Sequence, residues 1–475
     1  MRDLHGSRLS RTARTATVAA ALSMGIVLSA GSRSVAQPNG APALASASAS
    51  SSAPAPLPAL RGPALQRAAR MLARDIAPSA AGAVVVGTAL VSDVPAPRGA
   101  ELVARAVSLL AGALGPEVRV GTSPATIESA RAESPSALAI VVVQTAVFEG
   151  ELRLTADVFP VPHNLWDRSR NPYPGPIAHG FGSARIDGEV RSHLAPVPLV
   201  ASQTLKATLP EPEVLALLCD DIDSDGALEI VIAARRSIAT GRVRGGQFEV
   251  LRKVAWDTLS PIAPSPWRQP LLSMSMPSPG ILDVGSTDRA RAVRLGSSLE
   301  VQGPIAGLPV PLPQGDGCAP REAGVLGREL AACDTRDGAP AVVDVGFAFD
   351  ATAAAEVVHA DGTAAWVWAA RKASDGSVLL RDTAGRSVSA GLAGAQLALA
   401  DLDFDGDPEL MSSRNVLEAS EDVLTVRTWR ASGSLQDRFT VHVNKGIGAV
   451  AACPGEGSGM RTIAVVAGNE LWLIR

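Results

Sequence analysis

Asp221-Ile222-Asp223-Ser224-Asp225-Gly226-Ala227-Leu228-Glu229 and Asp401-Leu402-Asp403-Phe404-Asp405-Gly406-Asp407-Pro408-Glu409 are two copies of one pattern, D-x-D-x-D-G-x-x-E. Each follows an apolar run, 214–218 in the first copy and 397–400 in the second, and the first leads into the strand-like 230–234. Carboxylates at alternate positions converge only when the chain wraps round a positive charge, and the glycine permits the tight turn. Hard oxygen donors at this spacing suit Ca²⁺. An EF-hand is excluded, because its loop needs a bidentate Glu at position twelve and helices on both sides. Position twelve is Ile232 in one copy and Ser412 in the other, and the flanks are apolar and partly β-branched. A lone acidic turn between strands accounts for one such loop. Two copies with the same ninth-position Glu and the same upstream strand point to metal loops inside β-hairpins.

The two loops resemble FG-GAP or VCBS-type repeats, the β-propeller blades of integrin alpha chains and of many secreted bacterial proteins. The resemblance spans residues 195–475 and is specific at the loops. It implies two structural Ca²⁺ sites. Their ligands would be Asp221, Asp223, Asp225, the carbonyl of Ala227 and Glu229, then Asp401, Asp403, Asp405, the carbonyl of Asp407 and Glu409. That family more often carries Asp at the ninth position, so a Glu there binds directly or through water.

With the loop glycine as a ruler, Gly226 is followed by Gly280, Gly338, Gly406 and Gly459, each leading into an apolar strand at intervals of one four-stranded blade. The expected fold from 196 to 475 is therefore an all-β propeller of about five blades. Residues 345–390 have room for one more, which leaves six or seven open. Residues 198–207 are a candidate for the strand that closes the ring and removes an exposed edge. The loops at Gly280, Gly338 and Gly459 lack the acidic ligands and are expected to be turns without metal.

Upstream, residues 60–160 read β-α-β-α-β-β, with a strong amphipathic helix at 99–114 and a strand pair turned at Glu149-Gly150. This predicts a small α/β (α+β) domain whose pattern is similar to that of the N-terminal domain of periplasmic TolB. Residues 160–195 read as a Pro-rich connector. His163, Trp166, Asp167, Arg168, the chain's only tyrosine Tyr173, and His179 cluster there as a candidate binding loop. The bland alternative is a packed linker between domains.

The first 36 residues carry a basic start (Arg2, Arg8, Arg11, Arg14), an apolar stretch at 16–30 and a small-x-small cleavage pattern at Ser34-Val35-Ala36. They are expected to be a cleaved signal peptide without a lipoprotein cysteine. Residues 37–58, almost all Ala, Ser and Pro, are an expected disordered linker. A secreted or periplasmic protein without a transmembrane segment in the mature chain follows. Net charge −4 and a pI near 5.9 give no basic footprint for nucleic acid. The four cysteines fit no zinc motif, and in an exported chain Cys318–Cys333 and Cys219–Cys453 are candidate disulfides, with free buried thiols as the alternative.

No G-x-S-x-G, H-E-x-x-H, C-x-x-C or phosphate-binding glycine loop is present. The expected function is therefore a non-enzymatic, calcium-binding binding or scaffold module for a protein or glycan partner in the envelope or outside the cell. The alternatives are a TolB-like component of envelope machinery and a polysaccharide-active enzyme.

Overall fold

The computed structural model describes residues 62–475 except 123–125, 257–271, 287–290, 307, 313–314, 320, 323–324, 327–328, 333–342 and 456–458. The expected signal peptide and linker lie outside the described residues, as do Cys333 and Gly338.

The N-terminal part runs α1 (Ala64–Ile76), β1 (Ala83–Gly87), β2 (Val91–Ser92), α2 (Gly99–Leu114), β3 (Arg119–Val120), α3 (Ile127–Glu133), β4 (Ala139–Phe148), β5 (Glu151–Pro160), α4 (Leu165–Arg170), β6 (Ala178–Arg185) and α5 (Gly188–Arg191). Its sheet has the order β3-β1-β4-β5-β6, with β2 paired to β4. The β4–β5 hairpin turns on Glu149 and Gly150, both at positive φ (53° and 76°), as a two-residue primed turn requires. The apolar stripes of α1 and α2 pack with the sheet. Leu65, Leu72, Ile76, Leu102, Leu110, Leu152 and Leu154 are fully buried, each stabilising by about 1.5–3 kcal/mol. Helix α1 sits at backbone distance from β6, since a Cβ on Gly182 would fall 2.2 Å from the Ala68 carbonyl oxygen.

The expected connector 160–195 is corrected here. It supplies α4, the edge strand β6 and α5, and so belongs largely to the α/β sheet. Its prolines cluster before β6, and the Pro-free stretch from 177 onward pairs with β5.

From residue 204 the described elements are strands, apart from a short 3-10 turn at Ala419–Glu421. Strand β7 (Thr204–Thr208) precedes an antiparallel meander of β8 (Val214–Asp220), β9 (Glu229–Ala234), β10 (Ser237–Arg244) and β11 (Gln247–Ala255). Four more sheets follow, three beginning with the strands Leu272–Ser278, Leu308–Leu312 and Leu397–Ala400, and one whose long strands start at Phe349–Val358 after the short Arg321–Glu322 and Val325–Leu326; a last group of strands, starting at Ile447–Ala452, joins β8–β11 through β7 in one eight-stranded sheet. The strands beginning at Leu272, Leu308, Phe349, Leu397 and Ile447 pack side by side in chain order, and the last returns to pack against β8. The result is a propeller-like ring around a cavity of about 340 Å³, bordered by Ser275, Gln396 and Arg461 among others. Strands such as β9 and Ile463–Ala467 are buried on both faces, because each sheet lies between two neighbours. That is why they read as unbroken apolar runs.

The last group of strands is composite. Its strands Ile447–Ala452, Ile463–Ala467 and Glu470–Ile474 are completed by β7, which pairs antiparallel from Thr204↔Ile474 to Thr208↔Glu470. A disulfide joins Cys219 on β8 to Cys453, 234 residues apart, and fastens the first group of strands to the last where the ring closes.

Candidate metal centres

Each acidic loop connects the first two strands of a sheet, β8–β9 in one case and Leu397–Ala400 to Glu409–Ser412 in the other. The backbone follows the same course in both. Position four takes a left-handed conformation (Ser224 and Phe404, φ 61° each), and so does the position-six glycine (Gly226 at 87°, Gly406 at 88°). The glycine amide donates to the first carboxylate, Gly226 N to Asp221 Oδ2 and Gly406 N to Asp401 Oδ2, at 3.0 Å in both loops. The position-seven amide donates to the third, Ala227 N to Asp225 and Asp407 N to Asp405, at 2.9 Å in both. Two loops that share these bonds are one structural device used twice.

In the first loop, carboxylate oxygens of Asp221, Asp223, Asp225 and Glu229 lie within 4.8 Å of one another, and in the second those of Asp401, Asp403 and Asp405 do. Oxygens on opposite sides of one Ca²⁺ are separated by twice the metal–oxygen distance, about 4.6–5.2 Å. Buried oxygens Asp221 Oδ1, Asp223 Oδ1 and Asp401 Oδ1 have no hydrogen-bond partner, although a buried carboxylate oxygen ordinarily has one. Asp401 and Asp403 are only 4 % and 7 % exposed. A hard cation fits this donor set of carboxylate oxygens.

Electrostatics differ between the loops. Burial pushes the Asp401 carboxyl up to about 8, against the pull of the Arg461 guanidinium and with Asp403 and Asp405 adding to the rise. Asp403 rises to about 7 from burial and from Asp405, and burial drives Glu409 well above its ordinary value. The second loop is therefore a set of acids that resist losing their protons together. The first is more open, and Arg242 reaches into it, pairing with Asp225 (2.7 Å) and with Glu229.

The ninth-position acids also hold the backbone of their own loops. Glu229 Oε2 accepts from the Ile222 amide (3.0 Å) and Glu409 Oε2 from the Leu402 amide (2.7 Å), so each pins its own loop. Their other oxygens face Arg242 and the Thr428 hydroxyl respectively. Glu229 remains within the donor cluster. The second cluster comprises Asp401, Asp403 and Asp405, and Glu409 Oε1 accepts from the Thr428 hydroxyl (2.7 Å). Asp407 pairs through its side chain with Arg430 (3.1 Å), which also holds Asp405 (2.7 Å).

The other singled-out residues fall elsewhere. His163, Trp166, Asp167, Arg168, Tyr173 and His179 are all exposed on the α/β part, with Trp166 73 % accessible. Asn164 caps α4, its Oδ1 accepting from the Asp167 amide (2.7 Å), and His179 Nδ1 lies 2.8 Å from Asp157. The Cys318–Cys333 pairing lies outside the described residues. Arg242, Arg191 and Arg461 were not singled out from sequence, since only the fold brings them to the loops.

No family model matches the chain, and no curated protein does. Among solved structures it is similar to a member of the DUF4221 family from Bacteroides vulgatus (11 % identity, TM-score 0.33, covering 59 % of this chain and 97 % of that one). It is also similar to a streptogramin B lyase (11 %, 0.31, 57 % and 97 %) and to TolB from Acinetobacter baumannii (11 %, 0.29, 83 % and 94 %). Among the described residues, no helix is long and apolar enough to cross a membrane.

Proposed function

We propose that the chain is an exported, calcium-stabilised β-propeller of six blades, in which β7 completes the sixth, carrying an α/β domain and serving as a non-enzymatic binding or scaffold module. The observation that carries the metal reading is the convergence of the loop carboxylates, with buried oxygens left unpartnered in both copies. Clustered carboxylates repel without a cation, so Ca²⁺ would stabilise the sheets that bear them. The role is structural, and the partner would be met by the exposed loops of the ring or by the α/β domain. The test is calorimetric titration of the mature protein with Ca²⁺ beside Asp223→Ala and Asp403→Ala. Two sites, one lost in each variant, are expected, and no heat of binding in the unsubstituted protein would remove the reading.

A second reading, envelope machinery of the TolB kind, is favoured by the order of an α/β sheet followed by a ring of sheets. It predicts co-purification with an outer-membrane partner and fails if the protein fractionates alone.

A further inference from the structure

The two loops share a backbone but differ at position four, and the difference is structural. Ser224 in the first loop is exposed. Phe404 in the second is 3 % exposed and lies in the hydrophobic core of the α/β part, with Ile186, Val190 and Leu194. An aromatic ring borne by a ring-sheet loop therefore completes the core of the other half of the molecule.

The surroundings of Phe404 are close-fitting on every side. The guanidinium groups of Arg191, on α5, and Arg461 lie 5.7 and 4.7 Å from its ring centroid. A Cβ on Gly455 would come within 2.4 Å of its Cζ. Beside it, a Cβ on Gly188, at the start of α5, would meet the Val358 carbonyl oxygen at 1.9 Å and Gly406 Cα at 3.1 Å. His359 Nδ1 lies 2.8 Å from the Gly406 carbonyl oxygen. Helix α5 is in turn tied to the rest of the domain. Asp187 accepts from the Ala64 amide at the start of α1 (2.6 Å), and Glu189 pairs with Arg105 of α2 (3.0 Å).

Phe404 sits between two of the candidate ligands, Asp403 and Asp405, in a left-handed conformation that a bulky residue adopts only under constraint. Its direction is thus set by whatever holds the carboxylates on either side. Asp401 Oδ1, in a residue only 4 % exposed, has no hydrogen-bond partner and is a donor oxygen free to take a cation.

We propose that a calcium ion in the second loop is a clasp between the two halves of the protein: by fixing Asp401, Asp403 and Asp405 it fixes Phe404, and Phe404 holds α5 and the α/β domain on the ring. The proposal rests on the reading of this loop as a calcium site. The first loop, with a serine at the same position, binds without clasping and is an internal control.

The test is hydrogen exchange of the mature protein in calcium and in chelator, read at 186–194 and accompanied by calcium titration. Chelation is expected to raise exchange at 186–194 by about tenfold, within the range of ordinary inter-site couplings. Asp403→Asn in calcium should reproduce the rise, and Asp223→Asn should not. Phe404→Ala should erase the difference between calcium and chelator, which keeps the test decisive if Asp403→Asn folds poorly. If titration shows calcium at the second loop while exchange at 186–194 ignores chelation, the clasp is wrong and the calcium reading stands. Calcium at the first loop alone also overturns the clasp, and absence of binding at both loops overturns clasp and calcium reading together.

Discussion

Metal-free protein should become less stable as pH rises, and Asp401 sets the size of the effect. Its carboxyl is raised from an ordinary 3.8 to about 8 by burial, so the folded chain holds this proton more tightly than the unfolded chain does. Stability falls with pH wherever the folded state binds the extra proton. The sign is therefore opposite to that of a salt-bridged carboxylate. The folded state is not penalised below about pH 4, where the carboxyl is protonated in both states, and it loses stability progressively up to about pH 8. At about 1.36 kcal/mol per pH unit the loss comes to about 6 kcal/mol. Unfolding entropy of about 2.1 cal/mol/K per residue, over the roughly 410 residues from 62 onward, converts this to a fall in melting temperature of about 7 °C. Scanning calorimetry in chelator at pH 5, 6, 7 and 8, at constant ionic strength, reads it directly. Asp401→Asn keeps an acceptor for the Gly406 amide and carries no charge. Without metal at pH 8 it should melt above the unsubstituted protein, and calcium should gain it little. A metal-free melting temperature that stays level or rises from pH 5 to 8, or an Asp401→Asn that melts lower at pH 8, would refute the reasoning.

Removing the cross-link between the first and last groups of strands, by Cys219→Ala with Cys453→Ala, should lower stability by about 5 kcal/mol, the loop-closure entropy for a span of 234 residues; an unchanged urea midpoint would count against it. Replacing Arg242 by Gln removes a cation paired with Asp225 and Glu229, so calcium should bind the first loop at least about tenfold more tightly in calorimetric titration. Equal affinity would mean that Arg242 swings clear when metal enters. Gly182→Ala should destabilise by about 1–3 kcal/mol, since its Cβ meets the Ala68 carbonyl oxygen and α1 must lift from β6. An urea midpoint within error of the unsubstituted protein would show that the helix yields freely.

The loops were legible because every group that shapes them lies within nine residues. Asp221, Gly226 and Asp401, Gly406 dictate the turn by spacing alone. The hairpin at Glu149-Gly150 was legible for the same local reason. The glycine ruler was less faithful. Gly280 and Gly406 do occupy hairpin turns at positive φ, but the hairpin beginning at Phe349 turns at Gly362 (φ 81°), a glycine the ruler passed over. Gly362 follows a single aspartate in His359-Ala360-Asp361, too little of the acidic pattern to register. The segment 160–195 misled because its five early prolines dominate the reading, whereas its contribution to the sheet comes from the glycine-bearing strand Ala178–Arg185. Gly180 and Gly182 look like weak strand formers until α1 is seen resting on them. Arg191, Arg242 and Arg461 could not have been assigned, since no local pattern brings a cation from another element to a carboxylate.

The composite last group of strands imposes a timetable on folding. Strand β7 is synthesised before every other strand of the ring, and its antiparallel neighbour Glu470–Ile474 after all of them. A chain emerging from its amino end holds β7 in waiting while the intervening sheets form. The ring cannot close until Glu470–Ile474 arrives. Moving residues 204–208 from their place to a short turn behind residue 475 would hand the waiting strand to its neighbour as a local hairpin. Such a variant should reach the same ring sooner, with less time spent carrying an open edge.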